Sequence, residues 1–186
     1  VFSVLAIILV LSWLTPLLLI LIKLESKGPL FFKQVREGLK GEKFICYKFR
    51  SMEVNHLSDT VHATKDDERI TRIGAFLRKT SIDESPQFYN VLRGDMSIVG
   101  PRPHMNALSK SYQKEIDNYM ERHAVKPGIT GLAQVSGYRG EVKKRADIKN
   151  RVRMDIFYIE NWSFFLDLKI IIQTVFNVFK GEEKAY

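Results

Sequence analysis

The amino-acid sequence predicts an α+β protein in which helices predominate. Three features of the 186-residue chain support this fold class: an uncharged apolar stretch at the N-terminus, a β-hairpin pattern soon after it, and apolar residues at helical spacing in the second half. The length suits one domain with its own core, or one such domain with an appendage. We therefore expect residues 1–23 to form a membrane-associated helix and residues 24–186 to form a single domain.

The N-terminal stretch, residues 1–22, contains no charged side chain, and Lys23 ends it. A straight helix of this length, at about 1.5 Å per residue, roughly matches a hydrocarbon core of about 30 Å. Pro16 lacks a backbone donor, which predicts a bend near Thr15. The residues alone leave two alternatives open: a kinked helix that spans the membrane, or a helical hairpin that enters and leaves by one face.

The charge of the chain indicates which side of a membrane and which partners suit it. The sequence has 29 Lys and Arg against 21 Asp and Glu, a formal net charge of +8, which favours an anionic partner. A nucleic-acid-binding module on a membrane anchor is therefore one alternative, although no recognised motif supports it. The single cysteine, Cys46, excludes an intramolecular disulfide and fits a reducing compartment. Basic residues next to a membrane segment favour its cytoplasmic side, and here they are Lys23, Lys27, Lys33 and Arg36.

The remaining elements follow from local patterns. Residues 30–32 and 44–49 read as two short strands, because the residues 37–42 between them have hairpin composition. Residues 53–72 are polar and charged, which indicates a solvated loop rather than a metal site. Helices are predicted over residues 73–78, from Asp83 or Glu84 to Gly94, over residues 105–120 and over residues 162–179. The last of these helices has a wide apolar face, which suits either packing in the core or a position in the membrane surface. Residues 126–140 read as a glycine-rich loop.

The most informative motif lies in residues 78–103, where Asp83 and Glu84 are adjacent carboxylates. Arginines accompany them, and a carboxylate that attacks phosphorus needs such charges, or a divalent metal, to offset the negative phosphate oxygens. The alternative is an ordinary helix start, because Ser81 and Glu84 have the spacing of a capping box. The accompanying arginines are Arg78, Arg93 and Arg102.

Several blocks of the sequence together resemble the bacterial sugar transferase family, the monotopic phosphoglycosyl transferases. They are the apolar segment with Pro16, GPLFFKQVREG, YKFRSM, FLRKTSIDESPQFYNVLRGDMSIVGPRP, KPGITGLAQVSGYRGE and DIFYIENWSFFLDLKIII. The nearest likeness is to the undecaprenyl-phosphate hexose-1-phosphate transferases of exopolysaccharide, capsule and O-antigen lipopolysaccharide synthesis. Longer relatives carry this unit at the C-terminus, so the chain resembles either such a unit or a stand-alone enzyme.

The resemblance implies a reaction and residues for it. A sugar-1-phosphate passes from a UDP-sugar to polyprenyl phosphate with release of UMP, and Asp83 is the nucleophile that holds a covalent phosphosugar, with Glu84 as its partner. Mg²⁺ is the implied cofactor, bound by Asp83 together with substrate phosphates. A helix N-terminus at Asp83 is expected to keep the carboxylate ionised. The implied phosphate-binding residues are Arg78, Arg102, Lys48 and Arg139, although Lys48 fits a lipid-headgroup site equally well.

The resemblance also implies how the protein meets the membrane. It favours a re-entrant helix, broken at Thr15-Pro16, over a span, with a small catalytic domain and interfacial amphipathic helices at the cytoplasmic face of the bacterial inner membrane. The expected partners are a UDP-sugar, polyprenyl phosphate and membrane lipids, and not nucleic acid. A homodimer through the apolar C-terminal helix stays open as an alternative. The motifs do not predict which sugar is transferred.

Overall fold

The computed structural model describes residues 2–55, 64, 67–140 and 144–180, and it confirms a mostly helical α+β fold. The helices are α1 (Phe2–Glu25), α2 (Arg72–Lys79), α3 (Gln87–Arg93), α4 (Asn106–Glu115), α5 (Leu132–Val135), α6 (Arg145–Glu160) and α7 (Phe164–Lys180). The strands are β1 (Phe31–Glu37), β2 (Lys43–Phe49), β3 (Ser97–Val99) and β4 (Gly128–Thr130).

The predicted hairpin is confirmed. Strands β1 and β2 pair antiparallel, with Phe31 opposite Phe49 and Glu37 opposite Lys43. Gly41 has a φ of 78° in the connecting turn, a conformation that glycine adopts without strain. Cys46, in β2, is buried. Strand β1 is longer than predicted, and exposed residues alternate with more buried ones from Phe31 to Arg36.

The N-terminal apolar stretch forms one helix, α1, with Pro16 inside it. The expected division into two helices at Thr15-Pro16 is therefore not seen. A proline removes only one backbone donor, and the helix continues on both sides of it. The hydroxyl of Thr15 donates to the carbonyl of Leu11 at 2.6 Å. No helix among the described residues is both long and apolar enough to cross a membrane. A bend at Pro16 and a re-entrant path stay predictions.

Helix α1 packs one face against the domain. Leu18 and Ile22 are buried against Phe49 of β2 and Leu77 of α2. The other side carries apolar side chains that the domain does not cover: Leu9, Trp13, Leu17, Ile20 and Leu24. The helix is thus part of the hydrophobic core along one side and an apolar surface along the other.

Polar contacts fix the C-terminal end of α1 to the domain. The carboxylate of Glu25 accepts hydrogen bonds from the backbone N–H groups of Arg72 and Ile73, at 2.7 Å and 2.9 Å, and so caps α2. The guanidinium of Arg50 donates to the carbonyls of Ser26 and Lys27. Helix α2, which leads into the acidic pair, therefore begins at a point set by α1.

The glycine-rich segment contributes a second, parallel strand pair. Strand β4 pairs with β3, with Ser97 opposite Gly128 and Val99 opposite Thr130. A Cβ atom on Gly128 would lie 2.1 Å from the backbone nitrogen of Gly100. A Cβ atom on Gly131 would lie 2.2 Å from the carbonyl oxygen of Gly100. These glycines therefore bring two backbone segments into contact.

The second half of the chain forms two further core clusters. One joins β3, α5, α6 and α7 through Val99, Val135, Tyr158 and Ile170. The other contains Ile116, Tyr119, Ile148 and Val152. Helix α4 ends at Glu115, before the predicted end, and a 3-10 turn follows over Tyr119–Ala124.

Helix α7 both contributes to the core and exposes apolar side chains. Ile170 is buried, while the exposed residues include Phe164, Phe165, Leu168, Ile172, Val175 and Phe176. The core-packing alternative is confirmed for one side of this helix. Contact of the other side with a membrane stays a prediction.

Candidate active site

The acidic pair lies in a short 3-10 turn, Ile82–Glu84, between α2 and α3. Ser81 has a φ of 59° and makes no side-chain capping bond, so the capping-box alternative is wrong. Helix α3 begins only at Gln87, after Pro86. Asp83 is therefore not in the first turn of an α-helix, and the expected support of its ionised form by a helix N-terminus is wrong as well.

Glu84 is neutralised by two basic side chains. The amine of Lys48 donates to Oε1 at 2.6 Å, and the guanidinium of Arg102 donates to both oxygens, at 2.5 Å and 3.1 Å. Burial raises the pKa of Glu84, but the charges of Arg102 and Lys48 outweigh it and hold the pKa well below its ordinary value. Glu84 is therefore a buried carboxylate that stays ionised.

Asp83 has a different environment, although it is as buried as its neighbour, with 7% of its surface exposed. No hydrogen bond or ion pair to another described residue engages its carboxylate. Burial raises its pKa, against the charge of Lys48, and Glu84 raises it further. Asp83 is thus the more basic of the two carboxylates and the one left available for a ligand.

The residues around Asp83 fit a shared magnesium site rather than a closed one. Among the described residues, no group of three His, Cys, Asp or Glu side chains could hold a metal ion. Mg²⁺ usually takes one or two carboxylates together with phosphate oxygens and waters. A single carboxylate that no other side chain engages, next to a substrate phosphate, meets that requirement, so Asp83 fits the predicted role.

The Pro101-Arg102-Pro103 turn is held in place by two further arginines that sequence reasoning missed as site residues. Arg36 of β1 donates to the carbonyl of Pro103, and Arg122 donates to the carbonyl of Arg102 at 2.7 Å. The turn therefore carries hydrogen bonds on two consecutive carbonyl groups. This support fixes the backbone from which Arg102 reaches Glu84.

Arg122 is itself anchored by a buried ion pair. Its guanidinium donates to Oδ2 of Asp155, on α6, at 2.7 Å and 3.0 Å, and both side chains are about fully buried. The sequence signal for this pair is weak, because the partners are 33 positions apart and both residue types are usually exposed. Arg36 had been noted only as a charge next to the membrane segment.

The other predicted basic residues also lie near the pair. Arg78 donates to Ser51 at 3.3 Å, and its charge acts to lower the pKa of Asp83. Arg139 donates to the hydroxyl of Ser81 at 2.8 Å, and its charge acts to lower the pKa of Glu84. Arg93 instead lies 3.5 Å from Asp95, with about half of its side chain exposed. The structure thus brings Lys48, Arg78, Arg102 and Arg139 to the acidic pair and not Arg93.

A cavity of about 120 Å³ adjoins this cluster. Glu84 and Arg139 form part of its wall, and Val178 of α7 forms another part. The cavity therefore extends from the acidic pair to the helix that exposes apolar side chains.

Comparison with known proteins identifies the family. The family profile described as bacterial sugar transferase matches residues 1–181. A UDP-glucose:undecaprenyl-phosphate glucose-1-phosphate transferase of Xanthomonas campestris pv. campestris is 50% identical over 184 residues, which cover 96% of this chain and 38% of that protein. This chain thus spans well under half the length of that relative.

Two other relatives differ in length and in the sugar named. The exopolysaccharide production protein PSS of Rhizobium leguminosarum bv. phaseoli is 44% identical, over 94% of this chain and 90% of that protein. A UDP-N-acetylgalactosamine-undecaprenyl-phosphate N-acetylgalactosaminephosphotransferase of Aeromonas hydrophila is 42% identical, over 96% of this chain and 43% of its own length. With a profile that matches nearly every residue and relatives at this identity, the chain belongs to the bacterial sugar transferase family.

Proposed function

We propose that the protein transfers a sugar-1-phosphate from a UDP-sugar to polyprenyl phosphate, yielding a polyprenyl-diphosphate sugar and UMP. The observation that carries this proposal is the contrast between two adjacent buried carboxylates. Glu84 is paired with Lys48 and Arg102, whereas Asp83 has a raised pKa and an unengaged carboxylate. Relatives named for transfer of glucose-1-phosphate to undecaprenyl phosphate support the substrate classes.

In the first step, a carboxylate oxygen of Asp83 attacks the sugar-bearing phosphorus of the donor. A new bond joins that oxygen to phosphorus, and the bond from phosphorus to the bridging oxygen breaks, so that UMP leaves with the electron pair. The raised pKa of Asp83 means that its surroundings stabilise the ionised carboxylate less than water does, and such a carboxylate is a stronger nucleophile once it is ionised. Arg78 and Arg102 supply positive charge that offsets the negative phosphate oxygens.

Mg²⁺, held by Asp83 and substrate phosphates, would neutralise part of the diphosphate charge. Glu84 would not compete for it, because its oxygens already accept hydrogen bonds from Lys48 and Arg102. Within this proposal, Glu84 orients the two cations around the reacting phosphate. Its own low pKa keeps it ionised, so that both cations stay paired throughout the cycle.

In the second step, an ionised phosphate oxygen of the lipid acceptor attacks the same phosphorus atom. The bond to Asp83 breaks, the carboxylate is restored, and a diphosphate forms between sugar and lipid. Because one substrate is water-soluble and the other carries an isoprenoid tail, the acidic pair must lie at headgroup depth. The uncovered apolar sides of α1 and α7 support a membrane-surface position.

This reaction would be the first membrane step in assembling a surface polysaccharide, at the cytoplasmic face of the bacterial inner membrane. Within it, α1 enters the bilayer and returns by the same face, with Thr15-Pro16 at the bend. Tags on both termini should then be accessible from the same side. Accessibility from opposite sides would instead indicate a span.

The activity is tested with detergent-solubilised protein, Mg²⁺, a panel of UDP-sugars and undecaprenyl phosphate, with UMP release as the readout. We expect Asp83→Asn to abolish release, because the amide is a poor nucleophile. Asp117→Asn, an exposed carboxylate in a turn, is the matched control and should retain activity. Unchanged turnover in Asp83→Asn would falsify the assignment of the nucleophile, and the panel identifies the sugar.

A further inference from the structure

The cavity beside the acidic pair has walls of two kinds. Towards the acidic pair, the wall includes Glu84 and Arg139. Elsewhere the surface exposed to the cavity is mostly apolar, and it is formed by Phe88, Ile129, Val135 and Val178 together with the polar residues Thr130, Gln134, Thr174 and Asn177. A ligand that fits both kinds of wall has an anionic end and an apolar body.

The hydroxyl groups on the wall already have hydrogen-bond partners within the protein. Ser81 accepts from Arg139, Ser85 donates to the carbonyl of Ile82, and Thr130 and Thr174 bond to each other at 2.6 Å. Among the described residues, Gln134 has a buried amide oxygen without a partner, but one acceptor does not replace the water shell of a sugar. These bonds tie the hydroxyl groups to the protein, and most of the surface that the wall exposes to the cavity is apolar.

The volume and the polarity of the cavity together favour a small apolar group. An apolar cavity of about 150 Å³ takes one benzene ring, which has about the size of a five-carbon isoprene unit. The cavity here is slightly smaller, at about 120 Å³. A hexose or a uracil ring carries polar groups around its edge, and these would lose hydrogen bonds with water against a mostly apolar surface.

We propose that the cavity receives the first isoprene unit of the lipid acceptor, with the acceptor phosphate at Arg139. This inference rests on the proposed function and adds where the second substrate binds. Val178 lines the cavity and is itself partly exposed, with 37% of its surface accessible, so the rest of the tail leaves the cavity at α7. In the proposed arrangement, the exposed apolar side chains of α7 contact the bilayer.

The site would align the second step. With the phosphate at Arg139, one ionised oxygen faces the phosphosugar on Asp83. That oxygen forms the new bond to phosphorus while the bond from phosphorus to the Asp83 oxygen breaks, and the carboxylate leaves with the electron pair. No other reactant is required, and no proton moves. Positioning of this kind lowers the entropic part of the barrier.

The two half-reactions allow a direct test with one pair of variants. Val178→Phe fills the cavity from α7, and Val175→Phe makes the same change at an exposed position of α7 outside the cavity wall. We expect Val178→Phe to raise the KM for undecaprenyl phosphate at least tenfold and to leave the burst of UMP in the absence of acceptor unchanged. Val175→Phe should alter neither. Asn177→Phe, also on the wall, provides a second filling variant.

A shorter acceptor gives an independent measurement. Dimethylallyl phosphate has one isoprene-sized group and methyl phosphate has none, and both are soluble. We expect the former to discharge the covalent intermediate at least fivefold faster than the latter, and Val178→Phe to remove that difference. Equal discharge by both phosphates in the wild-type protein would show that only the phosphate is recognised.

The outcomes separate this inference from the proposed function. A smaller UMP burst in Val178→Phe or Asn177→Phe, with full folding by thermal denaturation, would assign the cavity to the donor and overturn the inference. An unchanged acceptor KM in both filling variants would also overturn it. If the wild-type protein itself releases no UMP, the proposed function fails first.

Discussion

Replacing Arg122 with Met tests the support of the Pro-Arg-Pro turn in depth. Asp155 is only 2% exposed and accepts two hydrogen bonds from Arg122, at 2.7 Å and 3.0 Å. The substitution leaves this carboxylate buried without its partner, which costs about 3–5 kcal/mol. Because about 1 kcal/mol shifts the Tm of a domain of this size by roughly 2–4 °C, we expect Tm to fall by roughly 6–20 °C.

A double variant separates stability from activity. Arg122→Met combined with Asp155→Leu replaces the ion pair with apolar side chains of similar volume, which is often neutral or stabilising, so most of the lost Tm should return. Turnover of the double variant should nevertheless stay at least tenfold below that of the wild-type protein, because the carbonyl of Arg102 still lacks the hydrogen bond from Arg122. Thermal denaturation and UMP release, both in detergent, measure the two effects.

The matched control is Arg93→Met, which removes a half-exposed arginine that lies 3.5 Å from Asp95. A pair of this kind contributes about 0–1 kcal/mol. A loss in Arg122→Met as small as that of Arg93→Met would refute the reasoning. Full activity in the double variant would refute the link from Arg122 to Arg102.

Two further predictions concern stability. Gly74→Ala should destabilise the fold by about 1–3 kcal/mol or more in chemical denaturation, because the new Cβ would lie 1.9 Å from the carbonyl oxygen of Ser51; Gly38→Ala, whose Cβ meets the Phe44 ring at 3.2 Å, should cost less. Burial, aided by the charge of Arg122, lowers the pKa of His123 from 6.5 to about 4. Between pH 6.5 and about 4 the unfolded chain therefore binds a proton that the folded chain does not, so the unfolding free energy should fall by about 3 kcal/mol as the pH drops through this range. In His123→Gln this part of the pH dependence should be absent.

Specific results would contradict these two predictions. Equal stability of Gly74→Ala and Gly38→Ala would mean that the backbone near Ser51 moves aside without cost. Identical pH slopes for the wild-type protein and His123→Gln would mean that His123 is protonated in the folded state too. Glu37, 3.9 Å from its Nε2, would then be the partner that allows it.

The sequence predicted the features that depend on neighbouring residues. The hairpin followed from two β-prone runs around a glycine-containing turn, and the structure pairs them as expected. The basic residues around Asp83 and Glu84 were also identified, because charged residues near a carboxylate pair can be read directly from the amino-acid sequence. The start of α3 was predicted too early in the chain. Ser81 has a left-handed backbone, which the sequence indicates only where the residue is glycine.

The features that were missed depend on contacts between distant segments. Strands β3 and β4 have three residues each, too few to show a period, and pairing joins Ser97 to Gly128 across the sequence. Helix α6 was not predicted, and its Asp155 meets Arg122 only in the folded chain. A buried charge is a property of the tertiary structure, so no local pattern distinguishes it from a surface charge.

The packing of α1 has a practical consequence for anyone who wishes to work with a truncated enzyme. Leu18 and Ile22 cover Phe49 and Leu77, and Glu25 caps the helix that precedes the acidic pair. Deleting the whole of α1, up to and including Glu25, to avoid detergent would uncover this cluster and free the start of α2. Water-soluble versions are therefore better sought by exchanging the outward residues of the helix, such as Trp13 and Leu24, for polar ones.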